Sequence, residues 1–322
     1  MSKFLWKIKP NTIDCENEKW KAKMTKRIKG SIAAATGFFL WGILPVYWKS
    51  IDHVPSFEIL NHRIIWSFVF MAILLTITGK WHRVKAAITH RSGLIFLLSS
   101  IMIGANWMLY IWAVNHEHIV EASLGYFINP LVNVLFGVLF LKEKLRRLEK
   151  IAFIIAIIGV AYMTFRLGRF PWVAIGLALN FGTYGLLRKI ARAGSMEGLF
   201  IETTILSLFG FTYLATLQSN GTAAFVNDGL FTSIFLFGAG AMTAVPLLLF
   251  TFGARRIKLS TLGFLQYLAP TFQLLSGTIL FKEAFTIHHL ISFALIWTAL
   301  IFYSISNYSH RPKKHRIPKG KP

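Results

Sequence analysis

The sequence predicts an all-α polytopic membrane protein: ten transmembrane helices in two inverted repeats of five, with both termini in the cytoplasm. Three observations predict it. The 322 residues are 55% hydrophobic with a mean hydropathy of +0.55, more apolar than a water-soluble fold tolerates. Lys and Arg are confined to short segments between long uncharged stretches. One proline-bearing apolar stretch occurs twice, 140 residues apart.

A transmembrane helix needs about 20 largely apolar residues. Ten stretches qualify: 30–48, 60–79, 92–115, 119–141, 150–166, 170–187, 198–218, 229–253, 259–281 and 289–308. The fifth is short. None alternates as an outer-membrane strand does. Residues 1–29 are too polar for the core of a signal peptide, and the apolar stretch that follows is long enough to span, so an uncleaved anchor is expected.

With the N-terminus inside, 30 of the 35 Lys and Arg fall in cytoplasmic segments, 4 in outer loops, and Arg63 within a span. This is the positive-inside bias, and adding or losing one span would scramble it. Basic loops beside anionic lipid also account for the net charge of +22 without a nucleic-acid partner. The expected organisation is a basic arm at 1–29, five-helix repeats at 30–166 and 170–308, and a basic tail at 309–322. The single cysteine, Cys15, leaves no disulfide framework and no thiol metal site.

The repeat pairs "EASLGYFINPLVNVLFGVLFLKE" (Glu121–Glu143) with "LSTLGFLQYLAPTFQLLSGTILFKE" (Leu259–Glu283). Identity is low, but Ser123, Tyr126, Pro130, Asn133 and Gly137 share one helical face. Gly263, Gln266, Pro270, Gln273 and Gly277 repeat that stripe. A looser match joins "FLWG" (Phe39–Gly42) to "GTYG" (Gly182–Gly185). Five spans is an odd number, so the second copy enters from the opposite side, the signature of many secondary transporters. Each proline frees the carbonyl four residues earlier, here those of Tyr126 and Gln266. Such a carbonyl is tolerated facing protein or a wet cavity, not lipid. Tyr126, Asn129, Pro130, Asn133, Gln266, Pro270 and Gln273 are therefore expected around a shared central cavity. The competing reading makes the amides interhelical glue.

Ionisable groups inside spans are functional candidates. Arg63 and Glu121 lie near the outer ends of spans two and four, Glu202 near the inner end of span seven. Depth favours Arg63 with Glu121, and Glu202 with Arg188, Lys189 or Arg256. Arg63 would suit an anion contact, Glu121 or Glu202 a proton-coupling carboxylate, and His62 titrates near neutral pH when exposed. A structural ion pair or a snorkelling end residue is the alternative for Arg63, Glu121 and Glu202, and a satisfied interfacial histidine for His62. Asn106 with Tyr110, and Asn180 with Tyr184, sit four apart on their helices, and Trp41 adds an aromatic ring. Such a mixture suits amphipathic solutes. There is no H-E-x-x-H zinc motif, Walker A loop, nucleophile elbow or Cys/His cluster, so neither an enzyme nor a cofactor is expected.

The stretches "FFLWGILPVYWK", "EILNHRIIWS", "NWMLYIWAVN", "EASLGYFINPLVN" and "LSTLGFLQYLAPT" resemble the RarD proteins, a group of EamA-type transporters in the drug/metabolite transporter superfamily. The resemblance runs from about Gly30 to Tyr308. It implies a bacterial inner-membrane permease with two EamA repeats, whose cavity is lined by the first four helices of each half. It also implies export of small molecules, with chloramphenicol as the drug label attached to the group. By motif it points to Arg63, Asn106, Glu121, Asn129 and Gln266. The expected function is alternating-access, proton-coupled export of a small organic solute. The expected partners are that solute, the lipid bilayer and a second copy of the chain. A non-transporting membrane protein, either an intramembrane enzyme or an assembly subunit, is the alternative from another class.

Overall fold

A computed structural model describes residues 12–116, 118–167, 170–280 and 287–309. The described elements are all helices: α1 (Thr12–Lys49), α2 (Ser56–Thr78), α3 (Trp81–Ala87), α4 (His90–Asn115), α5 (Ile119–Leu139), α6 (Arg147–Leu167), α7 (Trp172–Ile190), α8 (Ser195–Ser219), α9 (Ala224–Asn227), α10 (Gly229–Ala254), α11 (Leu259–Gln266), α12 (Leu268–Ile279) and α13 (Ile287–Ser309). Among the described residues, six helical stretches are long and apolar enough to cross a bilayer: Met24–Lys49, Ser56–Thr78, Ser92–Tyr110, Arg147–Phe165, Ser195–Asn227 and Gly229–Ala254. Leu124–Leu139 and Leu290–Ser306 are shorter apolar helices. A helix is what such sequences must form, because hydrocarbon offers the backbone no other partner.

Chain breaks sit where local chemistry puts them. Gly79 closes α2 in the left-handed region (φ 63°), its N–H reaching the Leu75 and Thr76 carbonyls. Thr89 and Ser92 form a reciprocal capping box at the start of α4. The basic arm continues into the first span, since α1 is one helix from Thr12. The ninth expected span is two helices. Pro270 has no N–H for the Gln266 carbonyl, and Tyr267 N–H bonds Phe264 O at 3.3 Å in a tight turn between α11 and α12. Pro130, by contrast, leaves α5 continuous.

Most helix packing joins the first half of the chain to the second. α5 lies on α7 and α11, α1 on α10 and α12, α2 on α8 and α10, α4 on α7 and α8, and α6 on α13. Exchange α1 with α7, α2 with α8, α4 with α10, α5 with α11 and α12, and α6 with α13, and every packing in this set becomes another member of it. The centre is an aromatic knot in which Phe250 of α10 meets Phe38 (5.9 Å) and Trp41 (5.8 Å) of α1 and Phe181 (5.2 Å) of α7. Large apolar side chains also face outward on many helices, among them Ile77, Ile154, Phe209, Leu230 and Ile301. That much exposed apolar surface belongs against lipid.

Candidate functional site

Two clusters of polar groups lie inside the bundle, one toward each end. Toward the end where α7 finishes and α8 starts, Arg188 is the largest fully buried side chain. Its Nε is 3.6 Å from Glu202 Oε1, and its Nη2 donates to the carbonyls of Gly194 and Ser195, both at 3.3 Å. Glu202 also accepts from the Ser99 hydroxyl of α4 and from Tyr184 Oη at 3.2 Å. Gly198 is what lets the guanidinium lie there, because a Cβ at that position would collide with it. Of the cations considered for Glu202, Arg188 is the one that meets it.

The same end carries two further ties, one across the halves and one within the second half. Glu143 accepts from Leu259 N (2.7 Å), Ser260 N (2.9 Å) and Ser260 Oγ (2.6 Å), capping α11 with a negative charge at a positive helix end. Lys189 donates to the carbonyls of Ala254 (2.9 Å) and Ile257, just past the C-terminus of α10. Further in, Asn133 Nδ2 of α5 donates to Gln266 Oε1 of α11 at 2.6 Å. Asn133 is 0% and Gln266 5% exposed.

Toward the other end, where α2 and α5 start, Arg63 is half-buried among several helices. Its Nε donates to Thr243 Oγ1 of α10 at 3.0 Å. Its guanidinium lies over Trp48 of α1 (4.9 Å) and Trp107 of α4 (5.3 Å). Tyr110 and Tyr126 are its electrostatic neighbours, their rings 6.4 Å apart and edge-on. Tyr110 is 38% and Tyr126 37% exposed. Both tyrosines are thus partly exposed while neighbouring a cation that lies within the bundle.

The residues expected at a shared cavity therefore divide in this conformation. Tyr110 and Tyr126 are partly exposed. Asn133, Gln266 and Tyr184 are sealed and bonded protein to protein, and Pro130 and Pro270 are buried. Asn129 is buried with no described partner for its Oδ1. Asn106 donates to the Leu177 carbonyl of α7 at 2.8 Å, Asn180 is half-buried on α7, and Trp41 belongs to the aromatic knot. Gln273 donates to the Trp41 carbonyl at 3.3 Å, the group that Pro45 leaves without its helical partner. His62 is buried, its Nδ1 accepting from the Trp66 indole at 3.2 Å and its Nε2 3.8 Å from Glu58. The Glu121 side chain lies outside the described residues, and so does the pairing expected for it.

Sequence reasoning missed Thr243, Ser99, Glu58 and the structural part of Glu143. Glu58 accepts from Ala224 N (2.7 Å) and Phe225 N (3.3 Å). It had a legible signal: "SFEIL" at Ser56 and "SMEGL" at Ser195 open equivalent helices with the same Ser and Glu. Among the described residues no cluster of His, Cys, Asp or Glu could hold a metal ion.

An all-helical bundle with apolar outer faces and polar groups buried where its two halves pack belongs to the polytopic membrane proteins. The EamA-like transporter family model matches residues 28–165. The protein RarD of Salmonella typhi is 42% identical over 91% of this chain and 99% of its own length. An uncharacterized transporter of Bacillus subtilis, YojE, is 45% identical over 86% of this chain and 94% of its own. A solved crystal structure 19% identical in sequence superposes with a TM-score of 0.68 over 86% of this chain and 98% of that one, a likeness of fold. The chain belongs to the RarD subfamily of the EamA-type transporters.

Proposed function

We propose that the protein is a secondary active transporter that moves a small organic solute across the bacterial inner membrane by alternating access between two inverted five-helix repeats. In this reading ten spans cross the bilayer and both termini are cytoplasmic. The Arg188 end faces the cytoplasm and the Arg63 end faces outward. Transport is proton-coupled export, Glu202 is the leading coupling carboxylate, and chloramphenicol is a first solute to try. The exchange of helix packings between halves supports the repeat, and the segregation of Lys and Arg supports the orientation.

One observation carries the alternating-access reading. The repeat matches Tyr126 to Gln266 and Asn133 to Gln273, so the partner of the Asn133–Gln266 contact under exchange is Gln273–Tyr126. The first pair is bonded and buried. In the second, Gln273 bonds Trp41 instead and Tyr126 is exposed. One end of the seam is zipped and its equivalent is not, which is the relation between the closed and open ends of an alternating-access carrier. A second conformation would form the Tyr126–Gln273 contact and release Asn133–Gln266.

The test is solute flux in proteoliposomes across a panel including chloramphenicol, with and without an imposed proton gradient. At least one solute is expected to move faster with the gradient. Asn133→Leu combined with Gln273→Leu is expected to abolish that flux while the protein still inserts. Unchanged flux in the double variant would remove these amides from the mechanism.

A further inference from the structure

We propose that the Arg63 end of the bundle binds an organic monoanion, a carboxylate attached to an aromatic or apolar body, with Arg63 holding the charge. The inference rests on the transport reading above and assigns a substrate class to it. A guanidinium stays charged at any accessible pH, and a cation within a span is costly unless something compensates it. Among the described residues, the partners of Arg63 do not cancel that charge. They are the Thr243 hydroxyl, the faces of Trp48 and Trp107, and the Tyr110 and Tyr126 phenols.

The two indoles stabilise the cation electrostatically, and Thr243 fixes Nε and hence the plane of the fork. Among the described residues both leave the site with a net positive charge in a medium of low dielectric, which selects anions. A planar fork matches a carboxylate with two parallel hydrogen bonds. A single guanidinium matches a single negative charge. Lys49, next to Trp48 in the chain, is already paired with Asp52 at 2.7 Å. The walls decide the rest of the ligand. Four aromatic side chains around one charged group are suited to an aromatic or apolar body, and the phenols add hydroxyls at its polar edge. The equivalent position in the other half carries Glu202, already neutralised by Arg188. The anion site therefore belongs to one end of the bundle only.

The experiment compares hydrocinnamate with its uncharged isostere hydrocinnamamide, by equilibrium dialysis against the purified full chain in detergent. Hydrocinnamate is expected to bind about tenfold or more tightly than the amide, the scale of a charge-assisted hydrogen bond. Arg63→Gln is expected to abolish the preference while amide binding persists, and Arg63→Lys to keep part of it. Equal affinities in the unmodified chain, or a preference that survives Arg63→Gln, would overturn the inference. Flux of the same two solutes in proteoliposomes separates this inference from the one beneath it. Binding of the carboxylate without its movement supports the site and overturns transport of this class. Movement of both solutes at equal rates supports transport and overturns the anion site.

Discussion

Arg63 and Glu202 occupy equivalent helices in the two halves, in the matched stretches "SFEILNHR" and "SMEGLFIE", yet they live in different surroundings. Glu202 is buried to 1% and has three described partners: Arg188, Ser99 and Tyr184. Arg63 is half-buried beside exposed tyrosines and rests on neutral groups. The proposed inverted repeat would place equivalent positions at opposite ends of the bundle, and this difference would then report the state of each end. One end is buried and cross-linked by charge. At the other, the cation rests on neutral groups among the described residues. The repeat supplies the architecture, and the opposite signs at one equivalent position give the two ends different chemistry.

The largest effect is expected from breaking the buried end. Arg188→Met leaves Glu202 buried without its cation, a change of about 3–5 kcal/mol in the direction of unfolding. It should appear as a sharp drop in detergent-extracted, monodisperse protein and in its thermal midpoint. Arg188→Met combined with Glu202→Leu should recover most of that loss, because a buried ion pair replaced by apolar groups of similar volume is commonly neutral or better. Arg63→Met should cost much less, since its described partners are neutral and no carboxylate among them is stranded. If Arg63→Met and Arg188→Met destabilise equally, the two ends do not differ as described.

The next effect tests the seam. In a chain with Cys15→Ser, cysteines at 133 and 266 should be joined rapidly by a short bifunctional thiol reagent, and joining them should stop flux. Cysteines at 126 and 273 should react slowly in the resting protein and faster once a transported solute is present. Equal reactivity of the two pairs without solute would show that the seam is not closed at one end.

Much of this was legible in the sequence, and the limits have physical causes. Apolar runs fixed where helices form, and the doubled stripe placed Pro130 and Pro270 at the junction of the halves. Depth narrowed the partners of Glu202 to Arg188, Lys189 or Arg256, and the packed structure selects Arg188. What a stripe cannot tell is whether an amide facing inward meets water or another amide. Asn133 and Gln266 satisfy each other, so a polar face that predicts a cavity also serves as a closed seam. Thr243 was invisible for a related reason: a lone threonine in an apolar helix commonly bonds its own backbone, and only the neighbouring helix reveals a different partner. Glu143 reads as the end of a span in sequence because its role, capping α11, depends on a chain segment more than a hundred residues away.

The smallest effect is also the most specific to the difference between the amides. Asn133 bonds a side chain across the seam, whereas Gln273 bonds a backbone carbonyl that Pro45 has left without a donor. Gln273→Leu should therefore cost the penalty of one half-buried carbonyl left without a donor, about 1 kcal/mol or somewhat more. Pro45→Ala restores an N–H within reach of Trp41 O, so in that background Gln273→Leu should cost about 1 kcal/mol less. The interaction term of this double-mutant cycle, read from thermal midpoints in detergent, should be absent when Asn133→Leu replaces Gln273→Leu, since Asn133 has no part in the carbonyl. A coupling of the same size for both amides would mean that Pro45 acts by bending α1 as a whole and not through the one group it leaves open.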